Sequence, residues 1–401
     1  MPSMSERFNL LSPEVKANPY PTYARMRREA PVCQVEPGGM WAVSRHEDVL
    51  RVLKDPQRFS SQGFRVATNP PWLGGNPFSE SMLTMDPPQH GRLRVLVQKA
   101  FGAGAMARLE PRVRDICRQA VAELPRGVPV DLVPPYALRI PAAVISELLG
   151  LDPSRATRLK QWADLITGGV TTVRPEEEDR KQRARDAVAE LRQHFGEVLD
   201  ARARAPGADL VSELLQARVD GEALSKDELI AFMALLLVGG IETVVHLLGA
   251  SLVVLREHPE LWAQLRSDRS RIPAFIDEVL RYEPPAQAAP RLTTEAVELG
   301  GVSLPKGAPV LVLLGSAAHD EAHFPDGDRF NLSRPGPQNL PFGHGVHFCL
   351  GAQLARMEGR LALEALLDAF RHLQAGPEPM TWHRTLVVRG PATLPLVLHP
   401  H

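Results

Sequence analysis

Residues Phe342–Gly351 read FGHGVHFCLG, one cysteine set among three glycines and two histidines. Gly343, Gly345 and Gly351 permit backbone turns closed to other residues and let the main chain lie close against a flat ligand. Downstream, Leu350, Leu354, Met357, Leu361 and Ala365 recur at helical spacing. This pattern places Cys349 at a helix N-terminus, where partial positive charge and free N–H groups favour a thiolate over a thiol. Three readings follow. His344, His347 and Cys349 form a zinc site, although no fourth Cys or His lies close by. Cys349 is an inert buried thiol, the default for a lone cysteine. Or the loop presents a thiolate that binds a metal, haem iron being one such partner.

The rest of the chain narrows the choice. Its 401 residues are 44% hydrophobic, ample for a packed core, and the net charge is −1. That balance gives no electrostatic case for nucleic acid or a membrane surface as partner. Cys33, Cys117 and Cys349 are odd in number and far apart, so no disulfide framework is expected. The polar start, MPSMSERFNL, lacks a signal core. The longest apolar run, Leu229–Ile241, falls short of the ~20 residues that span a bilayer. A soluble, reducing, cytoplasmic protein is the expectation.

Helical patterns dominate. Pro19–Ala30, His46–Asp55 and Arg92–Phe101 read as short amphipathic helices, and Val188, Leu191, Phe195 and Val198 give Arg180–Ala205 one apolar stripe. Ser225-Lys-Asp-Glu228 is a capping box opening a helix that runs to about Arg256. At ~1.5 Å per residue such a helix reaches ~45 Å and crosses a whole domain. Strands are expected at Val32–Val35 and Met40–Val43 around a turn, and at Val297–Leu304, Ala308–Leu313 and Thr385–Leu398. The class is mainly α with a minor β part, in one domain covering 1–401.

Inside the long helix, LLLVGGIETVV spans Leu235–Val245. Each mid-helix glycine costs about 1 kcal/mol relative to alanine. Glycine pairs are also where helices bend and their hydrogen-bond ladders open. An acid and an alcohol, Glu242 and Thr243, follow in an apolar run. A buried carboxylate is costly unless it is paired or protonated. The combination reads as a polar notch beside a reactive centre, or as a core helix whose threonine bonds its own i−4 carbonyl. Elsewhere Glu278 and Arg281 sit at i and i+3, and His90 and Arg94 share a helical face at i and i+4.

The cysteine loop resembles the haem-thiolate loop of the cytochrome P450 family, and further family motifs follow in the expected order. Membership implies the P450 fold, haem b as cofactor and Cys349 as the iron ligand. The segment around Gly239 and Gly240 resembles the oxygen-binding helix of camphor-type bacterial members. By that resemblance both glycines open a groove, Gly240 touching the cofactor. Thr243 holds water beside the oxygen site and Glu242 feeds protons. A second hydroxyl, frequent in the family, is replaced by Val244. His90, Arg94, Arg291 and His347 match propionate anchors, and Phe342 opens the haem loop. Glu278–Arg281 matches the structural Glu-x-x-Arg pair, to be completed by Arg329 or Arg334. The family's Asn-Arg-Asp is replaced within Ala317–Asp320.

The resemblance extends from Pro19–Ala30 to Arg389–Leu396 and leaves no room for a fused electron-transfer domain. It implies a monooxygenase supplied by a separate ferredoxin and reductase, docking near Arg108, Arg112, Arg356 and Arg360. Alternatives are a haem-thiolate peroxygenase or isomerase, and a haem-based sensor. The substrate wall is expected in Ser61–Leu83, with Phe64, Trp72 and Phe78, and in Thr167–Arg174, Leu235, Val238, Pro285–Ala289 with Ala286, and Val388–Thr393. Mostly apolar, these residues favour a hydrophobic small molecule such as a terpenoid, fatty acid or polyketide.

Overall fold

The computed structural model describes residues 8–152, 155–167, 174, 176–219, 221–336 and 340–401. It is built around the helix Lys226–Glu257. The Ser225 hydroxyl accepts from the Glu228 N–H, and the Glu228 carboxylate accepts in return from the Ser225 N–H, so the capping box forms. Past the first turn this helix is buried nearly all round, from Leu229 to Leu255. By length and composition it is apolar enough to cross a membrane. This corrects the expectation that no segment qualifies, which counted only the uninterrupted run. Its surroundings here are the protein's own core.

Around it lie the helices Arg139–Leu148, Glu178–Arg204, Ile272–Tyr282 and Ala352–Ala369. Each of them buries an apolar face, and together they form one large hydrophobic core. The helix expected at Arg92–Phe101 begins earlier, as Gln89–Gln98, and tightens into a 3-10 turn over Lys99–Phe101.

A six-stranded sheet flanks this core. Its order is Phe8–Asn9, Val32–Glu36, Met40–Val43, Pro309–Val312, Ala289–Thr293 and Phe59–Ser60. The hairpin at Glu36–Gly39 forms as expected, with Gly38 and Gly39 both at positive φ. Met40–Val43 pairs parallel with Pro309–Val312, joining residues some 270 positions apart, Trp41 opposite Val310. Two expected strands are corrected. Val297–Leu304 is a hairpin of Val297–Leu299 and Val302–Leu304, turned at Gly300 and Gly301, both left-handed. Thr385–Leu398 breaks into Arg389–Thr393 and Pro395–Pro400, and the first of these pairs with Thr381–Arg384.

Candidate functional site

The central helix is unbroken through Gly239 and Gly240, so the ladder does not open there. Instead the Thr243 hydroxyl donates to the Gly239 carbonyl at 2.6 Å. Gly239 is exposed in the middle of an otherwise buried helix, and a Cβ placed on it would meet nothing within 4 Å. Leu235, Glu242 and Thr243 are half-buried on the same side. The expected role of Gly240 is corrected. A Cβ on Gly240 would meet Ile145 Cδ1 at 2.4 Å, so this glycine admits a neighbouring helix, and Gly239 alone makes the open face.

Burial raises the pKa of Glu242; Lys160 opposes the rise and Asp164 adds to it. The carboxyl therefore keeps a proton more readily than an exposed glutamate. Four residues on, His246 is 4% exposed and its pKa is pushed down to about 3 by burial, then by His383, Lys160 and Arg389. Neither ring nitrogen of His246 has a hydrogen-bond partner. His383 is brought in by the strand Thr381–Arg384 and stacks on His246 at 5.6 Å.

The cysteine loop is closed by the Cys349 N–H donating to the Phe342 carbonyl at 2.9 Å. Gly343 and Gly345 have φ of 77° and 69°. At Gly345 a Cβ would also strike the Leu53 carbonyl oxygen at 2.7 Å, so that position requires glycine twice over. The following helix starts at Ala352, three residues beyond Cys349. The sulfur is thus ahead of the helix, where the Gly351 N–H donates to it. Cys349 is exposed, whereas Cys117 is buried. Yet the surrounding protein desolvates the Cys349 thiol and raises its pKa, against the lowering effects of the Gly351 N–H, Arg94 and Arg356. The helix begins beyond the sulfur, so the expected helix stabilisation of a thiolate is replaced by the Gly351 N–H and the two arginines, which burial outweighs.

Four predicted anchors converge. The rings of His90 and His347 lie 4.3 Å apart, and Ser61 Oγ lies 2.9 Å from His347 Nε2. Burial, Arg291, His90 and Arg94 all depress the His347 pKa, to about 3, while a hydrogen bond to the Met85 backbone opposes them. Burial also lowers His90, with Arg94 adding to the effect. Arg291 is pushed down to about 10 by burial, against the opposing charge of Asp86, and its Nη1 donates to the adjacent Pro290 carbonyl at 2.7 Å. Arg94 is likewise desolvated. Among the described residues neither Arg94 nor Arg291 has a carboxylate within ion-pair distance. Two partly buried cations around one imidazole, with no carboxylate in direct contact and only Asp86 acting on Arg291 from further off, are costly unless an anionic ligand joins them. Phe342 is half-buried, 6.3 Å from the Phe348 ring, with the Arg356 guanidinium 4.5 Å from its centroid.

The donor set fits a dianionic porphyrin. Cys349 is exposed and its sulfur interacts with Arg94; Arg94, Arg291 and His90 surround His347; and Gly239 leaves a bare helix face. The buried Glu278–Arg281 pair is bidentate, at 2.9 and 2.8 Å. The third member is Arg334, whose Nε donates to Glu278 Oε1 at 3.2 Å. Arg329 supplies only its carbonyl, to Arg281. Within Ala317–Asp320, the Asp320 carboxylate takes the His46 N–H at 2.7 Å and His319 Nε2 bonds the Tyr282 carbonyl, so that departure forms its own network.

The expected substrate wall divides. Trp72, Leu235 and Ala286 are half-buried, but Phe78 and Val238 are 3% and 7% exposed. Phe78 packs edge-to-face on Phe64, and Phe78 and Val238 belong to the main hydrophobic core. Residues 168–173 of the expected segment Thr167–Arg174 lie outside the described residues. The four expected docking arginines are all paired: Arg108 with Glu213, Arg112 with Glu147, Arg356 with Asp277, and Arg360 with Glu110 and Glu364. Ser61, His246 and His383 were not singled out from sequence. Only His246 carried a signal, an imidazole four residues after Glu242 in an apolar run.

Comparison with known proteins agrees with this geometry. The family model for Cytochrome P450 matches residues 157–396. Cytochrome P450 107B1 of Saccharopolyspora erythraea is 39% identical, covering 93% of each chain. Vitamin D(3) 25-hydroxylase of Pseudonocardia autotrophica is 35% identical, covering 99% of this chain and 98% of its own. The structure of CYP109Q5 from Chondromyces apiculatus superposes with a TM-score of 0.89 at 39% identity, covering 98% of this chain and 99% of its own. The chain belongs to the cytochrome P450 family, whose cofactor is a haem iron. It is a bacterial-type P450 monooxygenase with the single-domain P450 fold.

Proposed function

We propose that this chain holds haem b through Cys349 and inserts one oxygen atom of O2 into a hydrophobic small molecule of the terpenoid, fatty acid or polyketide class. When bound, haem supplies the dioxygen activation and the oxidising power. The protein supplies the rest. The Cys349 sulfur would hold the iron, with the Gly351 N–H restraining its charge. Arg94 and Arg291 would pair with the propionates, and His90 and His347, neutral in this environment, would donate hydrogen bonds to them.

On the bare face around Gly239, Thr243 has committed its own proton to the helix. Its oxygen is left as an acceptor and positions a water. Glu242, its pKa raised, is the proton donor. Leu235 and Trp72 would contribute apolar contact to the substrate, and the relative named vitamin D(3) 25-hydroxylase supports a large apolar one. Electrons would come from a ferredoxin and its reductase. The paired arginines leave the docking face as local dipoles, so complementarity there rests on more than net positive charge. Three free cysteines suit a cytoplasmic setting.

The observation that carries this reading is an exposed Cys349 beside Arg94, with Arg94 and Arg291 both acting on His347 and neither within ion-pair distance of a carboxylate among the described residues. Reconstitution tests it. The ferrous carbonyl adduct is expected to show the red-shifted band of sulfur ligation, and Cys349→His to abolish it. A colourless protein after haem supply, or an unshifted band, overturns the assignment. Product formed with peroxide alone, faster than with redox partners, would favour a peroxygenase.

A further inference from the structure

Glu242 and His246 lie one turn apart on the same face of the central helix, and the hairpin Thr381–Thr393 folds back over them. His246 Nε2 is 3.9 Å from Glu242 Oε1, and His383 Nδ1 is 4.0 Å from the same oxygen. One ligand atom from each of the three residues falls within 4.8 Å of the others. At Gly390 a Cβ would stand 2.1 Å from His246 Nδ1. The hairpin backbone therefore presses on the Nδ1 side of the ring, and Nε2 is the nitrogen turned toward the carboxylate. His246 is 4% exposed with both nitrogens unpartnered. Leaving such a group unsatisfied is costly, so the arrangement favours a ligand that the imidazole can bind.

We propose that Glu242, His246 and His383 form a site for a divalent transition-metal ion of the zinc class, with two imidazoles, one carboxylate and a remaining position open to solvent. The donor chemistry suits zinc, which binds imidazole nitrogen and carboxylate oxygen at ~2.0–2.2 Å. Tetrahedral geometry with such bonds separates ligand atoms by about 3.3–3.5 Å, so the cluster must contract. His383 can make that movement, because its side chain is 45% exposed on a two-stranded hairpin. Glu242 and His246 are anchored by the helix. Other charges act on the cluster: Lys160, paired with Asp164, on all three residues, Arg389, paired with Glu283, on His246, and Lys16 on His383.

A carboxylate engaged by zinc is not free to carry a proton. Resting on the reading of Glu242 as proton donor, zinc at this site is therefore an inhibitor of reductase-driven turnover. On binding, any proton on Glu242 leaves to solvent and the two neutral imidazoles donate lone pairs.

Equilibrium dialysis of the tag-free holoenzyme against zinc chloride, with bound zinc counted against haem iron, tests the site directly. One zinc per chain is expected at micromolar zinc, and His383→Ala should lose it while keeping the carbonyl band of a folded holoenzyme. Copper(II) in place of zinc should give a paramagnetic resonance spectrum with splitting from two nitrogens, reduced to one in His383→Ala. Absence of saturable zinc below the millimolar range, or binding unchanged by His383→Ala, overturns the site. Zinc that binds the native enzyme without slowing turnover leaves the site standing and overturns the inhibition, and with it the assignment of Glu242.

Discussion

Thr243 gives its hydroxyl proton to the carbonyl of Gly239, 2.6 Å away and one turn back, where the central helix is exposed between its buried halves. A bond of this kind is the ordinary way a threonine rests in a helix. Here the acceptor's residue has no side chain and nothing packs over it, so the hydroxyl oxygen keeps its lone pairs toward open space.

Removing that oxygen should uncouple electron use from product. In Thr243→Ala, product per reduced nicotinamide should fall about tenfold or more while peroxide accumulates, since a positioned proton-transfer group contributes ~10²–10⁴-fold. Thr243→Ser, which keeps the acceptor, should retain most of the coupling. The check is product and peroxide measured against nicotinamide consumed; unchanged stoichiometry in the alanine variant counts against the role.

Arg94→Ala and Arg291→Ala should each loosen haem. A charge-assisted hydrogen bond contributes about 1.5–3 kcal/mol, so transfer of haem to an apo-globin acceptor should be about 10–100 times faster. The double variant should be worse than either alone. These same substitutions remove uncompensated cations, so the haem-free chain should be no less stable to urea than the native haem-free chain.

Arg281 is fully buried and spends every guanidinium N–H, two on Glu278 and three on the carbonyls of Ala318, Gly327 and Arg329. Arg281→Ala strips the buried Glu278 carboxylate of its bidentate partner and takes a donor from the Ala318 and Gly327 carbonyls, and should cost about 3–5 kcal/mol. Arg334→Ala should cost less, because Glu278 keeps its bidentate partner. Arg329→Ala should be near neutral, since that side chain is exposed and only its backbone takes part. Urea midpoints rank the three.

Stability should fall on mild acidification. His46 stacks on His323 at 3.6 Å, and burial first, then His323, depress its pKa from 6.5 to about 4, against Asp320. The neutral ring is the form that the fold favours. Its contribution is complete above the unfolded pKa near 6.5 and is lost as pH falls toward about 4, because the unfolded chain takes up a proton that the folded one refuses. His46→Asn should flatten the decline in urea midpoint between pH 7 and pH 4.5. An unchanged slope would show that other groups carry it.

Much of this protein is legible in short segments. The loop Phe342–Gly351 carries its own turn glycines, the Ser225 capping box fixes where the central helix starts, and Glu278–Arg281 is a local helical pair. Each depends on residues within one or two turns, where spacing translates directly into geometry. The choice between Arg334 and Arg329 is not local. It turns on whether the chain after Gly327 brings a side chain or a carbonyl to Glu278.

What only the tertiary structure decided is which charges meet. The ionisation of Cys349 is one case: a helix start predicts a thiolate, but desolvation by packed neighbours outweighs it. The docking arginines are another, each neutralised by an acid that composition cannot assign. His383 lies 137 positions from His246 in sequence, and nothing in either segment announces the other. Pattern fixes the direction of a side chain on its own element. Long-range packing sets the dielectric and the partners, and those determine what its charge can do.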